Sequence, residues 1–208
     1  MEDADNWYEV IERLRGAEYR VGLVTASSPT YRVEFAPGLT DAEFKNVQRS
    51  FGFRFPPDLR ALLREALPIG PQFPDWRCGD VAVLREWLDL PLEGLLFDVE
   101  HNGFWLDEWG ARPQTTHAAR DRITALVASA PPLIPVFAHR MMPDEPHAPG
   151  NPVFSVHQTD IIHSGVDLAD YLHHEFGLPG RQPRSSEPRP IRFWDPTAFG
   201  ARISSPSR

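Results

Sequence analysis

The chain has 208 residues, 41% of them hydrophobic, and a formal net charge of −8, so it can bury a sizeable core while its acidic balance argues against non-specific nucleic-acid binding. Its one cysteine, Cys78, excludes an internal disulfide. The acidic opening MEDADNWYEV lacks the apolar stretch of a secretory signal and no run reaches the length of a membrane span, which together predict a cytoplasmic protein with no membrane partner.

Trp7, Val10, Ile11 and Leu14 fall at i, i+3, i+4 and i+7 and predict a helix over 6–14, with Gly16 as its stop. Residues 19–25 and 30–35 are β-rich runs around Ser27-Ser28-Pro29, the pattern of a hairpin. Thr40-Asp41-Ala42-Glu43 is a capping box, opening a helix to about Arg49 with Phe44, Val47 and Phe51 inward. Pro57 suits the first turn of a helix that buries Leu59, Leu62, Leu63 and Ala66 and ends before Pro68. A further helix is expected over 81–90, with Leu84, Trp87 and Leu88 inward and Pro91 as its end. Residues 115–130 read as a helix with the stripe Ala119, Ile123, Leu126 and Val127. Residues 133–138 read as a strand that Pro135 places at a sheet edge, and three prolines make 139–150 a loop. Strands are expected over 152–156 and 159–163, then a helix over 166–176 ended by Gly177.

Residues 75–110 concentrate the charge: nine acids stand against two bases, a net of −7. Trp76, Trp87, Trp105 and Trp109 lie in the same window. Large rings need burial and clustered carboxylates need water or a cation, so the segment predicts a wall with an apolar back and an acidic front. In its centre, FDVEHNGFWLDEWG over 97–110, the candidate partner-binding residues are Asp98, Glu100, Asp107 and Glu108, set to meet a basic protein surface. Trp105 and Trp109 are expected to be structural. If 104–109 is a strand, Asp107 and Glu108 point to opposite sides, whereas Asp98 and Glu100 can share a face. The alternative is a solvated acidic face around ordinary core aromatics.

From residue 180 the composition reverses. Six Arg face two acids, a net of +4, which leaves −12 on residues 1–179. The expected organisation is one domain over 1–179 followed by a Pro/Arg-rich extension over 180–208. Within the extension 190–195 docks through Ile191, Phe193 and Trp194, and 202–208 is disordered.

Little in the chain has the pattern of catalysis. His157, Asp160 and His163 form the best metal-like cluster, but along one strand the two histidines lie roughly 20 Å apart with Asp160 on the opposite face, so no metal site is expected. Asp170 and His174, at i and i+4, suit a surface pair near a helix C-terminus, while the adjacent His173 diverges from His174. WRCGD matches no thiol-enzyme signature, and Cys78 is expected to be a small buried side chain. Dinucleotide and P-loop glycine patterns are both missing from the sequence. Asp98 with Glu100, or Asp107 with Glu108, has the residue types of a hydrolytic pair but no phosphate clamp or sugar platform beside it. No catalytic residue and no cofactor is therefore assigned.

The ordered set FGFRFPPDLRALLREALPIG, PDWR, GLLFDVEHNGFWLDEWGARP, LIPVFAHRMMP, GNPVFSVHQTDIIHSGVDLADYLHHEF and PRPIRFWD covers about residues 51–195. It resembles the SUKH superfamily and, within it, the Smi/Knr-type branch of bacterial proteins; the first fifty residues match in general character only. The resemblance implies a single α+β domain, a curved and mostly antiparallel sheet with helices packed around it. It implies a non-enzymatic immunity protein that neutralises a cognate toxin domain, often a nuclease, by direct binding. Fungal relatives imply the alternative, a cell-wall-regulator-like scaffold or regulatory interaction module. Trp76, Trp105, Trp109, Arg140, Asp160 and Tyr171, within the matching motifs, are expected to define the fold rather than read the partner.

Overall fold

The structure, a computed structural model, describes residues 6–21, 28–179 and 187–200. Val10, Ile11 and Leu14 face inward from α1 (Trp7–Leu14), and Gly16 in the left-handed region turns the chain out of it. β1 (Glu18–Arg20) then pairs antiparallel with β2 (Thr30–Arg32), Tyr19 opposite Tyr31; most of the expected turn between them lies outside the described residues. The run expected as one strand over 30–35 divides at Val33. That residue is 1% exposed, and its N–H and C=O bond to Ala17 and Gly16. Beyond it β3 (Glu34–Pro37) changes partner and pairs with β4 (Ala66–Ile69). Ala66, expected on the preceding helix, begins this strand, and Pro68 lies within it. In a two-stranded sheet every strand is an edge, where a missing N–H is tolerated.

The expected capping box opens α2 (Asp41–Phe51): the Thr40 hydroxyl accepts from the Glu43 N–H at 3.3 Å and the Glu43 carboxylate accepts from the Thr40 N–H at 2.7 Å. Pro57 begins α3 (Pro57–Glu65), which buries Leu59, Leu62 and Leu63. The longest helix, α4 (Val81–His101), corrects the expected stop at Pro91 by running through it. Pro91 has no N–H to offer the carbonyl of Trp87, a cost of about 3 kcal/mol. Burial of Leu84 before it and of Leu95, Leu96 and Val99 after it, at roughly 1.5–3 kcal/mol each, exceeds that cost.

A 3-10 turn (Asp107–Trp109) leads to α5 (Thr116–Ala128), whose first turn is capped by the Thr115 hydroxyl. The chain then meanders through β5 (Leu133–Phe137), β6 (Arg140–Pro143), β7 (Val153–His157) and β8 (Asp160–Gly165), an antiparallel sheet in that order. Pro135 does stand in an edge strand, while β6 occupies the start of the stretch expected as loop. After α6 (Leu168–Glu175) the described chain resumes at residue 187 and ends in the short α7 (Pro196–Gly200).

The class is α+β, as expected, and among the described residues the antiparallel sheets are small and open, two of two strands and one of four. Alternation along the four-stranded sheet sends Ile134, Val136, Met142 and Val153 to one core, shared with α1, α2, α3 and α6. Leu133, Met141, Phe154 and Val156 face the other, shared with α5 and the second half of α4. The extension completes this second core. Ile191 and Trp194 are each 2% exposed, and Trp194 Nε1 donates to the Pro131 carbonyl at 2.7 Å. Residues 202–208, expected to be disordered, lie outside the described residues.

Trp194→Ala should lower unfolding stability by about 3–5 kcal/mol in chemical denaturation, as for a buried aromatic removed from any core. A second expectation follows from the capping box. The Arg77 guanidinium, reaching Glu43 through Nε at 2.5 Å, together with the Thr40 N–H and hydroxyl, holds the Glu43 carboxyl down to about 2. A carboxyl whose folded pKa is depressed stabilises the fold above its unfolded value, about 4.3, and that contribution is lost as pH falls through the folded value. Glu43→Gln should therefore lower Tm at neutral pH, with the gap to the parent closing as pH drops through this window. A gap that stays constant would rule out the linkage.

Candidate protein-interaction surface

The orientation of α4 is set on its inner side. Asp98 is 5% exposed; its Oδ2 accepts the Thr159 N–H at 3.0 Å and the Thr159 hydroxyl at 2.6 Å, and its Oδ1 accepts from Asn102 Nδ2 at 2.5 Å. One turn earlier, a Cβ added to Gly94 would come within 2.7 Å of the Gln158 Cα, so only glycine lets the helix backbone approach the β7–β8 turn this closely. Asp98, the first of the four candidates, is therefore buried as a structural tie and does not stand on an exposed acidic front.

The other three divide. Glu100 lies two positions on, about 200° around the helix from Asp98, so the two do not share a face. It forms an ion pair with Arg120. Residues 104–109 are not a strand: the 3-10 turn leaves Asp107 and Glu108 both exposed while it directs Trp109 inward. Trp105 and Trp109 are each 5% exposed and meet edge to face at 5.5 Å; Trp105 Nε1 donates to the Gly110 carbonyl at 2.7 Å. The apolar back of the wall is thus where it was expected. Asp107 and Glu108 are exposed, but a longer acidic front lies on other residues.

That front is the outer face of α4. Glu86, Asp89 and Glu93, at i, i+3 and i+7, are exposed and make no ion pair or hydrogen bond among the described residues. Beside them Val83, Leu90 and Phe97 are 50%, 47% and 44% exposed. Seven residues fall only about 20° short of two helical turns, so the three apolar side chains form a stripe about 21 Å long. The repeat of an apolar residue followed three places later by Glu is visible at Val83/Glu86, Leu90/Glu93 and Phe97/Glu100. Ending the helix at Pro91 hid it, because the repeat then spans two elements.

Chemically reactive side chains also gather where sequence spacing did not put them. Arg140 Nη1 donates to Ser155 Oγ at 3.0 Å and also contacts His139 Nε2, while its Nε faces Glu175 at 3.4 Å. Burial, then Arg140, then His157 hold His139 below the usual imidazole range. Burial, with Glu175 beside it, raises the Tyr171 phenol well above its ordinary value. Ser155 thus faces a guanidinium rather than a base, and the group ties β6 and β7 to α6. His157 and Asp160 pair across the β7–β8 turn, and His163 pairs with Phe154 three residues further along. The two histidines are accordingly separated along a hairpin and not along one strand, and among the described residues no three potential ligands gather around a point. Asp170 and His174 do approach, at 3.6 Å, but Asp170 is buried in the first turn of α6 and accepts the Val166 N–H, so they are not the expected surface pair. Cys78 is exposed, which corrects its expected burial: Asp75 accepts the Arg77 and Cys78 N–H groups and turns that segment outward.

No family model matches the chain, and no curated protein or solved structure does either. Among the described residues no helix is long and apolar enough to cross a membrane.

Asp98→Ala should cost about 1–3 kcal/mol in urea denaturation, since it leaves the half-buried Thr159 donors without an acceptor. Glu108→Ala, at an exposed position, should fall within about 0.5 kcal/mol of the parent.

Proposed function

We propose that this protein is a non-enzymatic, cytoplasmic binding protein of the SUKH immunity type, which neutralises a cognate toxin domain by covering a basic surface. The observation that carries the reading is the outer face of α4, where Glu86, Asp89 and Glu93, unpaired among the described residues, lie beside exposed Val83, Leu90 and Phe97. Exposed apolar stripes flanked by charge are the composition of a contact surface rather than of a solvated helix. Glu108, also exposed, extends the acidic character of the neighbouring turn. A nuclease is the fitting class of toxin, because it must present Lys and Arg to hold phosphates. Such a surface is matched in charge by a body of −12.

The test is stopped-flow association with the toxin domain encoded beside the gene, at rising salt, together with protection of cells that express that toxin. The association rate should fall with salt, as long-range steering is screened. Glu86→Lys with Glu93→Lys should slow association about tenfold and weaken protection at unchanged Tm. A salt-independent rate, or full protection by the reversed variant, would move the binding face elsewhere.

A further inference from the structure

An open cleft of about 260 Å³ borders the flank of α4 that carries Arg85, Leu88, Asp89 and Leu92. Its walls come from both cores: Phe53 belongs to the first, and Ala130, Leu133 and Trp194 to the second. Arg85 is already engaged, donating to the Ser50 carbonyl at 3.1 Å with its guanidinium over the Phe51 ring. Asp89 makes no ion pair among the described residues, so the cleft is a mostly apolar hollow with this carboxylate and the Arg85 guanidinium at its rim. Asp89 lies about 40° around α4 from Glu93, which brings the acidic row of the outer face to the rim of the hollow.

We propose that this cleft is an anchor pocket for one large apolar side chain, Leu, Phe or Trp, carried on a basic amphipathic helix of the partner protein. The proposal rests on the interaction reading above and adds where and how the partner engages. Binding energy at protein interfaces concentrates in such anchors seated in pockets. A helix suits the site because its apolar face can seat one side chain in the cleft while basic residues on its flank reach the acidic row of α4. About 14 residues make roughly four helical turns, enough to present the anchor and its flanking cations. Lys or Arg on the flanks of that helix would meet Asp89, Glu86 and Glu93. A second copy of this chain is disfavoured, since its own α4 would set carboxylates against carboxylates.

The experiment titrates the full chain with a 14-residue Leu/Lys amphipathic peptide and follows backbone amide shifts. Shifts should gather along 85–92, 124–128 and 130–133. Ala128→Trp, at an exposed position on the cleft wall, should fill the hollow and weaken binding about tenfold or more, and Asp89→Lys should act in the same direction. Thr124→Trp, on the same wall and also exposed, provides a second filling variant, and unchanged Tm identifies the folded ones. Shifts confined to other surfaces, or undiminished affinity in a folded, cleft-filled variant, would overturn the proposal. Salt-sensitive binding along Glu86 and Glu93 without cleft shifts would remove the pocket and leave the acidic-face reading standing. Equal binding of a peptide with Gln in place of Lys would remove the basic occupant and count against the acidic face as well. Tenfold tighter binding by a variant ending at Gly200 would make this chain's own Arg202-Ile203 segment the occupant.

Discussion

The buried carboxylate of Asp98, held by the Thr159 N–H and hydroxyl, fixes the rotation of α4 on the β7–β8 turn. A carboxylate taken out of water is tolerable only where donors meet it, so the helix has one acceptable setting about its axis. Turning it by a single position, about 100°, would withdraw Asp98 from both donors. Gly94 reinforces the choice, because any side chain there would strike the Gln158 backbone. With the inner side so held, Glu86, Asp89, Leu90, Glu93 and Phe97 have no direction to face but outward.

The second core makes this arrangement rigid. It joins segments far apart in the chain: Leu95, Leu96 and Val99 of α4, Trp105 and Trp109 after it, Ile123 of α5, and Ile191 and Trp194 of the extension. Arg122 Nη2 donates to the Trp109 carbonyl at 3.2 Å, and Arg112 reaches the carbonyls of Val99 and Gly103. These guanidinium contacts cap carbonyls at the end of α4 and in the following turn that lack helical partners. The outer face of α4 is therefore displayed on a scaffold built from both sides of the four-stranded sheet.

The polar groups of the interior and of that face are used in opposite ways. Asp98, Asp144 and Asn151 are buried, Asp144 accepting the Arg54 N–H with one oxygen while its Oδ1 has no hydrogen-bond partner among the described residues, and Asn151 bridging the carbonyls of Pro143 and Pro146. Burial pushes the Asp144 carboxyl above its usual range, with the Arg54 N–H opposing the shift. Glu86, Asp89 and Glu93 have neither burial nor partner within the described chain. Buried polar groups are costly unless satisfied, whereas exposed carboxylates keep their water and remain available to an incoming cation. Hence the contrast supports recognition at α4 and structural ties elsewhere.

Local chemistry alone determined several elements. The Thr40/Glu43 box, Pro57 in a first turn, the Thr115 cap and the edge position of Pro135 follow from groups within a few residues of one another. The aromatic content of 97–110 likewise indicated that Trp105 and Trp109 would be buried, since large rings leave water wherever a core can take them. Tertiary structure decided the rest. β3 found β4 across α2 and α3, α4 continued through Pro91 because burial on both sides outweighed a lost hydrogen bond, and Asp98 turned inward to a donor 61 positions away. Those outcomes depend on partners distant in sequence, and the choice of which acids remained exposed on α4 depended on them in turn.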